Sequence, residues 1–213
     1  MTTGKSILLV LGGIYHDFDG FTESMETTLG EAGHRLDATY DRDTLTSLND
    51  RPYDLVMLDT CLRGKTEGGE PGPDYTDAQV EALDRWVADG GSLLGIHAAT
   101  VSGQTHAKLD VLLGGTFIEH PPQFTFAVYP LFHEHPITTD IDAFTVHDEF
   151  YIQRTRADIA IHMVAVDRGK AHPMVWTRSH DEGRVAYIGM GHDEAVWELA
   201  PYQRLIRQAV DWL

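Results

Sequence analysis

Residues 93–103 read LLGIHAATVSG, an apolar run that ends in Gly95-Ile96-His97-Ala98-Ala99 and leads into a segment of helical composition. A buried strand turning sharply into a helix, with small residues two before and two after one presented side chain, has the outline of a nucleophile elbow. Such a turn belongs at the carboxyl end of a strand in an α/β sheet, where ligands bind. The seat expected to hold Ser or Cys holds His97 instead.

Outward from this turn, strand-like and helix-like segments alternate, which predicts a parallel sheet covered by helices on both faces. Upstream, SILLVL (6–11) reads as a first buried strand with Gly12-Gly13 as its exit, followed by a helix over 18–32 capped by Gly33. An outer strand over 34–40, a short helix over 43–49 and the strand YDLVMLD (53–59) come next, then a Gly- and Pro-rich loop over 63–75. Thr76 with Gln79 predicts a capping box for a helix over 76–89, whose apolar stripe is Val80, Leu83, Trp86 and Val87. Gly90-Gly91 ends it, and 92–96 is the strand that feeds His97. Downstream, 116–152 breaks into short β pieces with turns, 159–166 and 174–177 form a strand pair, VAYIG (185–189) is the last core strand and 201–213 a closing helix.

A chain of 213 residues is long enough to bury a full core. No apolar run nears the roughly 20 residues of a membrane span, and Met1–Lys5 leads straight into a strand, so neither a membrane partner nor a signal peptide is expected, and the cytoplasm is the expected location. The single cysteine, Cys61, excludes an internal disulfide and a Cys-built zinc site. A net charge of -17 without a Lys/Arg cluster argues against nucleic acid, and it makes a neutral or cationic ligand easier to accept than a polyanion. No nucleotide cofactor is expected, and a homo-oligomer is compatible with the sequence.

Twelve histidines invite a metal hypothesis, but position matters more than number. His34, His106, His162, His172 and His180 lack acidic partners at ligand spacing and read as structural or surface residues, as do His133 and His135 beside Pro136. His97, His192 and the run Tyr15-His16-Asp17 each follow a core strand, which would deliver imidazoles from three strands to one sheet edge. His192-Asp193-Glu194 offers either a carboxylate behind the His192 ring or two acids capping the next helix. His120 in GGTFIEHPP (114–122), and Asp148, Glu149 and Tyr151 in HDEFY (147–151), are candidates to reach the same edge.

The order GGIYHDF (12–18), GIHAAT (95–100), GGTFIEHPP, HPIT (135–138), HDEFY, GRVAYIGMGH (183–192) and a closing Trp-bearing helix resembles the ThuA-like, or trehalose-utilisation, family over residues 12–212. The resemblance implies one domain over 1–213 with the class I glutamine amidotransferase-like fold, a flavodoxin-like three-layer α/β sandwich with a mostly parallel central sheet. It also implies bacterial sugar metabolism, on trehalose, related disaccharides or their keto derivatives. In class I amidotransferases the elbow carries Cys and a His-x-Glu follows the last core strand. Here His97 looks like the Cys position and His192-Asp193-Glu194 like the His-x-Glu. Glutamine hydrolysis needs a thiolate, so amidotransferase activity is not expected. The family usually has aromatic residues after the elbow, whereas TVSGQTHAKL (100–109) has none, which puts that part of the substrate wall in doubt.

Two readings follow. In the first, a hydrolase or lyase uses His97, His192 and Glu149 as catalytic groups and Tyr15, His16, Asp17, Asp148, Tyr151 and Trp197 to bind the sugar. A divalent metal, zinc foremost, would sit on His97, His120 and His192, with Glu149 as the alternative to His120, because an imidazole at a helix N-terminus is kept neutral. In the second, the chain is a non-catalytic sugar- or partner-binding domain that kept a degenerate amidotransferase pocket.

Overall fold

The computed structural model describes residues 4–66 and 68–213. In chain order its elements are β1 (Ser6–Gly13), α1 (Phe18–Gly30), β2 (Arg35–Thr39), β3 (Leu55–Cys61), α2 (Asp77–Ala88), β4 (Ser92–Ile96), α3 (Ala107–Leu113) and β5 (Gly115–Glu119). There follow β6 (Phe124–Pro130), β7 (Phe144–Asp148), β8 (Ile152–Thr155), β9 (Ala160–Asp167), β10 (Lys170–His180), β11 (Gly183–Ile188), α4 (Glu194–Trp197) and α5 (Ala200–Trp212). Short 3₁₀ segments cover Arg42–Asp50 and His97–Gln104.

The apolar run of β1 has no polar face because both of its faces are covered. Ile7, Leu9 and Leu11 pack with Phe21, Met25 and Leu29 of α1 and with Leu205, Ile206 and Ala209 of α5. Leu8 and Val10 point the other way, onto Val80 and Leu83 of α2, Leu109 and Leu112 of α3, and Leu45 and Leu48 of the first 3₁₀ segment. These two cores make a helix–sheet–helix sandwich. Each such side chain contributes about 1.5–3 kcal/mol when fully buried. Thr76 caps α2 as expected, its hydroxyl accepting from the Gln79 amide while the Gln79 side chain accepts from the Thr76 amide.

The main sheet runs β2-β1-β3-β4-β11-β10-β9-β6-β7. Its first five strands are parallel, the order of a flavodoxin-like sheet. From β11 onward each strand pairs antiparallel with its neighbour, so the short β pieces seen in the sequence extend the same sheet. A separate antiparallel sheet pairs β5 with β8. Among the described residues no helix is long and apolar enough to cross a membrane.

The first helix runs to Gly30, and Gly33 closes it as expected: Gly33 takes φ 87°, its amide donates to the Gly30 carbonyl, and the His34 amide donates to the Leu29 carbonyl. One expectation needs correction. Beyond the elbow the chain forms a 3₁₀ segment, not an α-helix. His97 itself adopts φ 37°, the sparsely populated region associated with functional turns. Gly13 has a specific use at the adjoining strand end. Its φ is 120°, and a Cβ there would collide with the Cys61 carbonyl, so only glycine lets β1 and β3 close together.

Candidate functional site

The carboxyl ends of β1, β3, β4 and β11 meet at one rim, as the strand-end argument expected. His16 follows β1, His97 follows β4 and His192 follows β11. Their rings form a cluster with centroids 5.2 Å apart for His16–His97, 4.7 Å for His16–His192 and 5.6 Å for His97–His192. Glu149, between β7 and β8, enters this cluster. Its Oε2 lies 3.3 Å from His97 Nε2 and 3.4 Å from His192 Nδ1, and its Oε1 lies 3.4 Å from His120 Nε2.

The surroundings fix which ring nitrogens are bare. A carbonyl can only accept, so His16 donates from Nδ1 to the Ile14 carbonyl (2.9 Å) and His97 from Nδ1 to the Gly189 carbonyl (2.9 Å). Among the described residues their Nε2 atoms, and His192 Nδ1, are buried without a hydrogen-bond partner in good geometry. Burial, with the neighbouring His97, pushes His16 down to about 3 and keeps it neutral. Burial acts the same way on His97, but Glu149, Asp148 and the Gly189 carbonyl outweigh it and raise that imidazole above its ordinary value. Burial raises the Glu149 carboxyl, but His192 and His97 overcome it and hold the group well below the usual carboxylate range.

His16, His97, Glu149 and His192 each offer one donor atom within 4.8 Å of the others. In a tetrahedral zinc site with bonds of about 2.0–2.1 Å, donor–donor edges are about 3.3–3.4 Å. The Glu149–His97 and Glu149–His192 separations have that length. Backbone carbonyls hold two of the rings through their far nitrogens, the usual outer support of a metal-bound histidine. Three orphaned buried nitrogens beside a carboxylate thus fit a divalent ion. His120, expected as a ligand, stands outside this set and faces the cleft, with Nδ1 donating to the Pro121 carbonyl at 2.9 Å. His16, expected only to touch the sugar, stands inside it.

A cleft of about 400 Å³ opens above the cluster. Tyr15, His16, Cys61 and Arg63 line it from the ends of β1 and β3, and His120, Glu149, Tyr151 and His192 complete it. His97 does not line the cleft: it is wholly buried, with Tyr151 stacked on its ring at 4.0 Å. It can act only through its cluster neighbours, which corrects its expected direct role on the sugar. Asp148 is also fully buried. Its carboxylate accepts from the amides of Gly191 (2.9 Å), His192 (3.3 Å) and Glu149 (2.8 Å), so it anchors the two loops that carry His192 and Glu149 and does not bind sugar. Trp197 is buried behind the site, its indole donating to the Gly191 carbonyl at 2.7 Å. Asp17 caps α1 through the Gly20 amide. Asp193 caps α4 and Glu194 is exposed, so the carboxylate against the His192 ring is Glu149 and not the residue two positions on.

Two nearby groups lacked any obvious signal in the sequence. Asp59, the last residue of an apolar run, is buried with Oδ1 unpartnered, and burial, opposed by His97 and His192, raises it to about 7. Arg63 comes from the Gly- and Pro-rich loop. Cys61 does line the cleft, but burial pushes its thiol up to about 11, so it is no thiolate nucleophile. Several of the remaining histidines find other partners. His106 lies 3.3 Å from Asp74, His180 2.8 Å from Asp84, and His133 bonds to His162 at 2.8 Å.

Residues 7–213 match the family model ThuA, trehalose utilisation. Among solved structures, the chain is similar to a putative ThuA-like protein from Bacteroides uniformis, with 21% identity over 100% of this chain and 92% of that one and a TM-score of 0.76. A putative ThuA-like protein from Parabacteroides merdae shows 17% identity over 99% and 90%, with a TM-score of 0.81. The fold also corresponds to 31% of a β-galactosidase chain from Bacillus circulans sp. alkalophilus, which aligns with 98% of this chain at 11% identity and a TM-score of 0.66. No curated protein matches the sequence.

Proposed function

The chain belongs to the ThuA, trehalose utilisation, family, and on that premise we propose that it is a divalent-metal-dependent hydrolase or lyase acting on a disaccharide or keto-sugar. The observation that carries the reading is the convergence of one donor atom each from His16, His97, His192 and Glu149 within 4.8 Å. When bound there, zinc or a similar ion supplies Lewis-acid activation of an oxygen, from water or from the sugar.

The chain's own residues supply the rest. Asp148 fixes the backbone of Gly191 and His192 and thereby aims the His192 ring. His97, locked by Gly189 and packed under Tyr151, holds one side of the cluster rigid. His120 reaches the cleft with Nε2 beside Glu149 and is placed to move a proton at the sugar. Tyr15, exposed at the cleft, offers an apolar face against which a sugar ring packs, while Tyr151, buried between His97 and His120, backs the site.

The test is turnover of a keto-disaccharide by zinc-loaded protein. His97→Ala and His192→Ala are expected to abolish it while circular dichroism reports an intact fold. Full activity in both variants contradicts the proposal. A second reading, a non-catalytic carbohydrate-binding domain, draws on the recurrence of this fold as about a third of a β-galactosidase chain. It predicts retained sugar binding without turnover under any metal.

A further inference from the structure

Arg63 shares the cleft with the imidazole cluster but takes no part in it. Its guanidinium carbon lies 6.0 Å from the centroid of the Tyr15 ring and 5.6 Å from that of Phe117. Two aromatic faces therefore hold the planar group without neutralising it. Among the described residues its Nε is buried with no hydrogen-bond partner. The carboxylate that lines the same cleft, Glu149, is engaged by His97, His192 and His120.

A guanidinium steadied by aromatic faces keeps its N–H fork for a planar or tetrahedral anion, which it binds through two parallel hydrogen bonds. The long-range field of this chain opposes anions, since its net charge is -17. That field is screened beyond about 10 Å in 0.1 M salt, whereas a fork at hydrogen-bond distance is not. A single anionic group on the ligand satisfies both constraints, and a polyanion does not. We infer that Arg63 is a specificity residue that anchors one carboxylate or phosphate carried by the sugar, so that the substrate is a singly substituted anionic carbohydrate. The inference rests on the reading of the cleft as a sugar site, and it goes beyond it by replacing a neutral disaccharide with an acidic one.

The test measures binding of D-glucuronate, D-glucose 6-phosphate and neutral D-glucose to the full chain by calorimetry. Wild type is expected to prefer one or both anions over glucose by at least tenfold, and the comparison of the two identifies carboxylate or phosphate. Arg63→Gln is expected to lose at least tenfold in affinity for the preferred anion and less than threefold for glucose. Arg63→Lys, which keeps the charge without the fork, is expected to lose severalfold, and it carries the test if the Gln variant fails to fold. Equal binding of charged and neutral sugars by wild type, no binding of either anion, or an anion preference that survives both substitutions overturns the inference. Zinc content of the same samples separates the two proposals. An Arg63-dependent preference in protein that takes up no zinc supports the anion site and contradicts the metal site, while zinc uptake without the preference does the reverse.

Discussion

Asp59 allows the electrostatics of the site to be tested without knowing its substrate. The carboxyl is buried at the end of β3 with Oδ1 unpartnered, and burial raises it to about 7 against the partial opposition of His97 and His192. In the unfolded chain it returns to its ordinary 3.8. Between these values the folded state holds a proton that the unfolded state has lost, so stability falls as pH rises from about 4 to about 7. At about 1.36 kcal/mol for each tenfold change in proton affinity, the full effect is about 4 kcal/mol. About 3 kcal/mol of it falls between about pH 4.5 and about pH 8. The perturbation is Asp59→Asn, which removes the titration. The assay is urea denaturation of chelator-treated protein across that range, comparing the two pH profiles so that groups not coupled to Asp59 cancel. Wild type is expected to lose about 3 kcal/mol relative to the variant as pH rises. Parallel profiles, or a wild type that gains on the variant with rising pH, refute the reasoning.

Gly191→Ala places a Cβ 2.7 Å from the Tyr202 hydroxyl at a backbone φ of 136°. It is expected to cost about 2–4 kcal/mol, seen as a fall of about 5–10 °C in melting temperature, and to weaken zinc binding because His192 follows directly. Trp197→Phe removes the indole donor to the Gly191 carbonyl and is expected to destabilise by about 1–3 kcal/mol in urea denaturation. Thr76→Ala removes the α2 capping box far from the rim. It is expected to lower stability by about 1 kcal/mol and leave zinc affinity unchanged by titration.

The parallel half of the sheet was legible because its strands are buried on both faces and therefore written as unbroken apolar runs, as in β1 and β3. The elbow was legible because it demands small residues around one presented side chain, and Gly95 and Ala99 provide them. What pairs with what across the rim was harder to read. Glu194 stands at the local spacing of a histidine's orienting acid, yet the turn at Gly191 and the cap at Asp193 leave it exposed. Glu149, from a distant connection, takes that place. Asp148 resembles a cleft acid in sequence, and only its three amide partners reveal an anchor. Asp59 and Arg63 carry no local pattern, because a buried carboxylate ends an ordinary apolar strand and a cleft arginine sits in an ordinary loop.

The central claim is that His16, His97, His192 and Glu149 form one divalent-ion site. Its most direct test is a zinc titration of chelator-stripped protein with the bound metal counted by mass spectrometry, repeated on His16→Ala and Glu149→Gln. The account predicts one tightly held equivalent per wild-type chain and at least a tenfold loss of affinity in each variant. A wild type that retains no zinc after desalting, or variants that bind it as tightly as wild type, contradicts the account.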